Sequence, residues 1–514
     1  MRSTVLVASL LARSMMSGKA SSDPMFFRSI GHIQLSDEVT AVKGNDMVTP
    51  LICASSSATA FLGFQCSSSS SSQSTSTSTS TSTSVSTSAT VSHAATYNLH
   101  ALAIGDWGVD LGLGSCCNVY RKTGTGNNEY YKDQQAQANV AYLLTLSAKK
   151  LQPKAILSHG YVHIKILRRI NRIILTSLAC SDNFYWNGLG SDDVDYRFTN
   201  SFEAMYSDPA LLNIKWLNVA GNHDLGGSMF ICGKRDNEFV ECSGSADLLK
   251  QLDEKFTRQS KYVSPNNDRW QMPDRYYVER LEGPDSGVTV DVFNIDTNAA
   301  AVHGGQQTCC QCYGYKMKYG YTESCSNVAR GDRLCAGGDT EMFDACMAQI
   351  EAWQADSLKQ LARDAVASTA TWKVVNTHYS PHFHMNPIMM SEVNSILKKG
   401  GVHLFINGHT HAESHEFGSF NTHFVTNGAG GGIQSESIGE PPPYANDIKP
   451  IWRGVNAPYG IFELSFAAEQ MKIQFVTFDG AWVFTSNKAE TVKGGAKLDH
   501  CWLIPKDGSL GEAC

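Results

Sequence analysis

Five short stretches of the chain end an apolar run in polar groups of the kinds that bind metal ions. Asp106 sits in IGDWG, Asp182 and Tyr185 in DNFYWNG, Asn222, His223 and Asp224 in AGNHD, His378 in VVNTHYS, and His409 and His411 in NGHTH. Glycines beside several of them permit sharp turns. Singly, each residue has an ordinary explanation. An aspartate after a strand commonly caps a helix, and a lone histidine is usually solvated or satisfied by hydrogen bonds. Five such groups in succession do not reduce to caps. Carboxylates, imidazoles, one amide and one phenol form a mixed nitrogen and oxygen donor set suited to two adjacent borderline ions, not one zinc. Two such ions would share a bridging carboxylate and a bridging hydroxide, clamp a phosphoryl group and supply a nucleophile.

The elements that carry these groups follow from the apolar patterning. LHALAIGD, PKAILSHG, IKWLNVAGNHD, VTVDVFNIDT, WKVVNTHYS, GVHLFINGHTH and HFVTNGAGG read as strands that break at polar ends. DQQAQANVAYLLTLSAKK, FTNSFEAMYSDPALL and DACMAQIEAWQADSLKQLARDAVAS read as helices. IFELSFAAEQMKIQFVTFDGAWVFTSN closes with hairpin-like strands. Repeated strand, polar loop and helix predict an α/β domain with much parallel sheet. In such sheets ligands bind outside the carboxyl ends of the strands, where these polar residues cluster.

The ordered set Asp, Gly-Asp-x-x-Tyr, Gly-Asn-His-Asp/Glu, His, Gly-His-x-His, together with FEAMYSDPALLNIKWLNVAGNHD, RWQMPDRYY and NGAGG, resembles the calcineurin-like metallophosphoesterases. Within them it is similar to the small, mammalian-type purple acid phosphatases, over about Leu99 to Thr485. The resemblance implies a metallophosphatase four-layer α/β/β/α sandwich with central mixed sheets. It implies hydrolysis of phosphate monoesters, small molecules or phosphoproteins, by a metal-bound hydroxide. Asp106, Tyr185 and His411 would join Asp182 on a ferric ion. Asn222, His378 and His409 would hold a divalent ion, Fe, Zn or Mn, with Asp182 bridging. Tyr185 is the marker of the purple subgroup, and Trp107 and Gly108 stand where many other members have a histidine. Trp107 itself reads as core. His223 would face the substrate and donate to a phosphate oxygen or the leaving group. The loop after His378 departs from the family: YSPHFHM offers His382 and His384 where one substrate-facing histidine is expected further on. Either fills that role, or both are surface loop residues. A metallophosphodiesterase or nucleotide hydrolase on the same fold, and an inactive surface protein, are the alternatives.

The second motif is interrupted. Residues 161–181, YVHIKILRRINRIILTSLACS, separate Gly160 from Asp182. Without them the chain reads AILSHGDNFYWNGLGS, and Gly-Asp-Asn-Phe-Tyr is intact. The segment is rich in isoleucine, with Lys165, Arg168, Arg169 and Arg172 and no acidic residue. Gly-Tyr-Val can be encoded GGG-TAT-GTN and Cys-Ser TGC-AGY, which contain donor-like and acceptor-like splice sequences. The segment therefore reads as a retained intron. The alternative is a true surface insertion, which loops tolerate, although here it adjoins a bridging ligand whose placement matters below an ångström.

Composition bounds the rest. The chain has 514 residues and a formal net charge of −7, which gives no basic footprint for nucleic acid. There are 15 cysteines, many crowded in Gly- and Tyr-rich stretches, the pattern of a disulfide-bonded secreted protein. Cys309 and Cys312 have C-x-x-C spacing, but no second pair completes a zinc knuckle. Val5 to Ala12 has the outline of a signal peptide, and no apolar run is long enough for a confident membrane span. Residues 1–66 read as a signal or uncertain segment and 67–95 as a Ser/Thr-rich disordered linker. Residues 96–506 read as the catalytic domain and 507–514 as a tail. The expected location is secreted or at the cell surface.

Overall fold

The structure, a computed structural model, describes residues 95–108, 130–159, 183–185, 187–227, 230–236, 238–284, 287–321, 325, 328–432, 438–455, 459–483 and 494–514. These lie in one compact unit, Thr90–Cys514. Residues 1–94, the pair Cys116 and Cys117, the insertion 161–181 and Asp182 lie outside the described residues.

The strands in chain order are β1 (Leu99–Ile104), β2 (Ala155–Ser158), β3 (Lys215–Asn218), β4 (Trp270–Gln271), β5 (Tyr277–Glu282), β6 (Thr289–Asn294), β7 (Trp372–Asn376), β8 (Leu404–Asn407), β9 (Glu413–Gly418), β10 (Thr422–Asn427), β11 (Ile448–Arg453), β12 (Gly460–Phe466), β13 (Gln470–Phe478), β14 (Ala496–Pro505) and β15 (Glu512–Ala513). The helices used below are α1 (Tyr130–Leu151), α2 (Val194–Arg197), α3 (Ser245–Ser260), α4 (Gly305–Cys310), α5 (Cys312–Tyr319), α6 (Thr340–Ala367), α7 (Pro381–His384) and α8 (Pro387–Gly400).

Two mixed sheets result. One has eight strands in the order β15-β14-β13-β12-β1-β2-β3-β4, the other seven in the order β11-β9-β10-β8-β7-β6-β5. In the first, β1 to β4 run parallel, and β12 lies antiparallel to β1. In the second, β6, β7, β8 and β10 run parallel. Strand alternation builds the layers. In β1, Leu102 and Ile104 pack with Val140 and Leu144 of α1. Leu99, Ala101 and Ala103 pack instead against Val290, Val374, Leu404 and Ile406 of the second sheet. Phe293, Val375 and Phe405 on that sheet's other face meet Leu361 of α6 and Val393 and Leu397 of α8. The order helix, sheet, sheet, helix is the sandwich expected from the sequence. The central strands are buried on both faces, which is why they read as unbroken apolar runs.

Two sequence readings change, and the disulfide reading of the cysteines holds. FTNSFEAMYSDPALL is helical only at Phe198–Glu203, in π-type turns that continue α2. Beyond it the buried Arg269 guanidinium donates to the carbonyls of Tyr206 (2.8 Å) and Leu211 (3.4 Å), which a continuing helix would have used. Residues 507–514 are not a free tail: β15 pairs with β14, and Cys514 is bonded to Cys501. Cys309 and Cys312 are bonded to Cys346 and Cys325, so they are unavailable to zinc. Cys232–Cys242 and Cys310–Cys335 complete five disulfides among the described residues. No helix among the described residues is long and apolar enough to cross a membrane.

Candidate metal centre

Of the predicted residues, Asp106, Asn222, His378, His409 and His411 follow the carboxyl ends of β1, β3, β7 and β8, and hydrogen bonds from His378 to His159 and Asn222 bring the two sheets' strand ends together. Two of them pay a conformational cost to be there: Asp106 has φ 61° and His409 φ 69°. Aspartate and histidine enter this left-handed region only occasionally, and such strain persists where surrounding contacts enforce it. Here the NGAGG loop after β10 enforces it. Gly430 N–H donates to Gly105 O (2.8 Å) and Gly432 N–H to Asp106 O (2.9 Å). A Cβ at Gly428 would overlap both the Thr410 carbonyl oxygen and Asp106 Oδ2. Glycine there lets the carboxylate of Asp106 and the NGHTH loop close on one another.

Three strand ends converge on one point. His378 Nε2 lies 3.2 Å from Asn222 Oδ1 and 3.3 Å from His409 Nδ1. His378 Nδ1 lies 2.7 Å from the carbonyl oxygen of His159, which can only accept. The proton of a neutral His378 is thereby fixed on Nδ1 and the lone pair on Nε2, the arrangement that outer partners give to metal-binding histidines. Burial pushes His378 down to about 3, so it is neutral. Burial, with the neighbouring imidazoles, holds His409 well below the usual histidine range. A lone pair and an amide oxygen thus face each other in a buried site, an arrangement that a cation between them makes favourable. Amide oxygen is a hard donor and imidazole nitrogen a borderline one, and together the residues fit a divalent ion. His411 is also buried, near enough to influence the charge state of both histidines.

The loop bearing Tyr185 is held from below by charges. Asp224 accepts from the backbone N–H of Asn183 (3.0 Å), Phe184 (3.2 Å) and Gly221 (2.9 Å), and from Gln259 Nε2 (2.9 Å). One carboxylate therefore ties the DNFYWN and AGNHD loops together. Burial pushes it up to about 6, against those hydrogen bonds. On the other side Arg197 donates to Tyr185 O (2.5 Å), Lys255 to Asn187 O and Arg258 to Leu189 O (3.2 Å). Tyr185 is buried, its ring centroid 5.4 Å from that of His223. Trp107 is core as expected, packed edge-on against Tyr206, Trp216 and Trp270. Asp182, the expected bridge, lies outside the described residues.

The two histidines of YSPHFHM part company. His384 joins the group, its ring 4.4 Å from that of His409. His382 points elsewhere, to Phe424 and to Glu416, 3.8 Å away on β9. Sequence reasoning gave no role to His159, whose Nδ1 meets Asn376 Oδ1 at 2.5 Å. It also passed over Asn376, which donates across to Leu217 O (2.9 Å) and joins the two sheets beneath the site. The signal was present: β3, β6, β7, β8 and β10 all end on asparagine. Among the described residues no three His, Cys, Asp or Glu side chains form a closed metal site by themselves. The convergent group includes an amide.

Two mixed sheets between helices, with this polar cluster at their strand ends, define a metallophosphatase-type α/β fold. The calcineurin-like phosphoesterase family profile aligns with residues 166–413. The chain is 34% identical over 120 residues to the tartrate-resistant acid phosphatase type 5 of Sus scrofa, covering 23% of this chain and 27% of that one. It is 25% identical over 259 residues to purple acid phosphatase 17 of Arabidopsis thaliana, covering 49% and 57%. The matched stretches thus span about a quarter and somewhat over half of those relatives. Among solved structures it is similar to GAP50, the anchor in the inner membrane complex of Plasmodium, at TM-score 0.42 and 14% identity, covering 79% of this chain and 90% of that one. The chain contains a calcineurin-like metallophosphoesterase domain.

Proposed function

We propose that the chain is an acid phosphatase of the purple type, hydrolysing phosphate monoesters with a dinuclear metal centre. The observation that carries the reading is the convergence of Asn222 Oδ1, His378 Nε2 and His409 Nδ1 from three strand ends. In this reading these three hold a divalent Fe, Zn or Mn ion. Asp106, Tyr185 and His411 hold Fe(III), and Asp182 bridges. The phenolate and carboxylate oxygens suit the harder ion. Bound, the pair would supply positive charge for the phosphoryl oxygens and make a water at the site acidic. The chain's own residues do the rest. His159 and the Asp106 turn fix ligand orientation. Asp224 sets the height of the Tyr185 loop. His223 donates to a phosphate oxygen or to the departing alcohol. The five disulfides support secretion or display at the cell surface.

The test compares the full chain with one lacking residues 161–181, in which Gly160 precedes Asp182 directly. Metal content, visible absorbance and hydrolysis of a monoester and a diester are measured on both. The expected result is two metal ions, a tyrosinate charge-transfer band and monoesterase activity in the shorter chain, with less of each in the longer. Preference for the diester would move the reading to a phosphodiesterase. Absence of metal from both chains would overturn it.

A further inference from the structure

One guanidinium joins the loop that carries Asp106 to the loop that carries Tyr185. Arg197 is the last residue of α2, and its side chain is fully buried. One nitrogen, Nη2, donates to the carbonyl of Tyr185 (2.5 Å) and to the carbonyl of Gly108 (3.3 Å). Gly108, at φ 82°, stands two residues after Asp106 in the IGDWG turn. The guanidinium is planar and its N–H groups are fixed in a fork. Two carbonyls that share one such nitrogen therefore have their spacing set by it.

The two loops meet again on the core side. Trp107 Nε1 donates to Ser158 Oγ (2.8 Å), and the Ser158 hydroxyl donates to Asn183 Oδ1 (3.2 Å). Asp224 ties the Asn183 loop to AGNHD after β3. The loops after β1, β2 and β3 are thus one hydrogen-bonded frame. Lys255 and Arg258 also donate into it, at Asn187 O and Leu189 O. Both of those carbonyls belong to the loop after β2. Arg197 is the cation that spans two loops, and those loops carry the harder donors, a carboxylate and a phenol.

Stability does not account for this placement. Asp236 stands 3.7 Å from Arg197 Nη1, and both side chains are buried. Taking two charges out of water costs about as much as their attraction returns, so such a pair is weak evidence of net stabilisation. A buried fork is useful where it must hold groups in register.

We propose that Arg197 is the positioning residue of the ferric half of the centre, holding the Asp106 and Tyr185 loops in the register that lets both side chains serve one ion. The inference rests on the proposed purple phosphatase reading and deepens it, because it names the side chain that pairs the two hard donors. Arg197 touches neither substrate nor ion; it acts through the two carbonyls.

The experiment titrates iron and, separately, zinc into the wild-type chain, the Arg197→Lys variant and the paired variant Arg197→Met with Asp236→Asn. Each is made in the full chain and in the chain lacking residues 161–181. Lysine keeps a charge beside Asp236 but offers a flexible ammonium in place of the fork. The paired variant removes both charges, so neither is left buried without its partner. The readouts are iron affinity, tyrosinate charge-transfer absorbance per bound iron, zinc affinity at the Asn222, His378 and His409 group, and Tm. The expected result is an iron Kd raised about tenfold or more in both variants, with less absorbance per bound iron and unchanged zinc affinity at that group. Variants that lose Tm or fail to fold, yet keep wild-type iron affinity and absorbance wherever they do fold, would make Arg197 a prop of the fold and overturn this inference alone. Equal loss of iron and zinc would overturn it in the same way. Wild-type protein of both lengths that binds no iron, or binds it without the tyrosinate band, removes the purple reading as well.

Discussion

Among the described residues two groups of histidines are buried, and their geometry differs in a way that separates a site from a structural join. At the strand ends, His378 Nε2 and His409 Nδ1 point at each other and at an amide oxygen. At the other group, His415, His423 and His500 are strung in line. His423 Nε2 lies 3.1 Å from Ser509 O, His415 Nε2 lies 2.8 Å from His423 Nδ1, and His415 Nδ1 lies 3.0 Å from His500 Nε2. The Ser509 carbonyl fixes the first proton and each neighbour fixes the next, so three neutral rings form one directional chain of donors and lone pairs. That chain is complete without any ligand, and it joins β9 and β10 of one sheet to β14 of the other. In the convergent group, three donors from separate strand ends meet at one point instead. Buried imidazoles alone do not mark a metal site; donors that converge on one point do.

The largest break in this comparison comes from His378→Ala. It removes the ring on which the other two donors converge, and metal content and monoesterase activity should each fall, with kcat lower by about 100-fold or more. His500→Gln, at the linear group, should leave both as in the wild type. If the two variants lose metal equally, the distinction between converging and chained histidines fails.

A smaller effect is expected beneath the site. Asp224→Asn keeps the shape but replaces a carboxylate that accepts five N–H hydrogen bonds, two of them from Asn183, by an amide that presents two N–H groups of its own. Leaving one or more of those buried donors unsatisfied should cost about 2–3 kcal/mol of stability. On the proposed assignment of a dinuclear centre, it should also lower the affinity for the ion assigned to Tyr185 more than for the one assigned to His378. Denaturant unfolding and metal titration read these separately, and equal loss of both ions would assign Asp224 to general stability only.

The sequence disclosed the parallel strands and the residues at their ends, because those strands are buried on both faces and stop at glycine or asparagine. It hid what depends on tertiary contacts. β9, ESHEFG, carries Glu413, Ser414, His415 and Glu416, all buried, and no hydrophobic period marks such a strand. The truncated helix after Phe198 was invisible because its competitor, Arg269, lies far along the chain. Asp224 was visible as a residue but not as the tie between two loops.

The finest prediction concerns protons on the linear chain. Burial pushes His423 and His500 down to about 4, and His415 well below the usual histidine range. Nearby Asp499 opposes the shift at His500, and the Ser509 carbonyl opposes it at His423. In the unfolded chain these rings take up protons near pH 6.5. Below that pH the unfolded state binds more protons than the folded one, so stability falls as the pH falls. The contribution of the neutral chain is complete above about 6.5 and is lost progressively toward about 4, by at most about 1.4 kcal/mol per pH unit for each ring. Glutamine at 500 keeps a donor for His415 Nδ1 but cannot titrate. Denaturant unfolding between pH 7.5 and 4.5, on metal-free protein so that ligand protonation enters both curves equally, should show a shallower decline for His500→Gln and similar stability at pH 7.5. Parallel curves would mean that His500 titrates alike folded and unfolded, and the chain would then be a contact between the sheets rather than one that acid loosens.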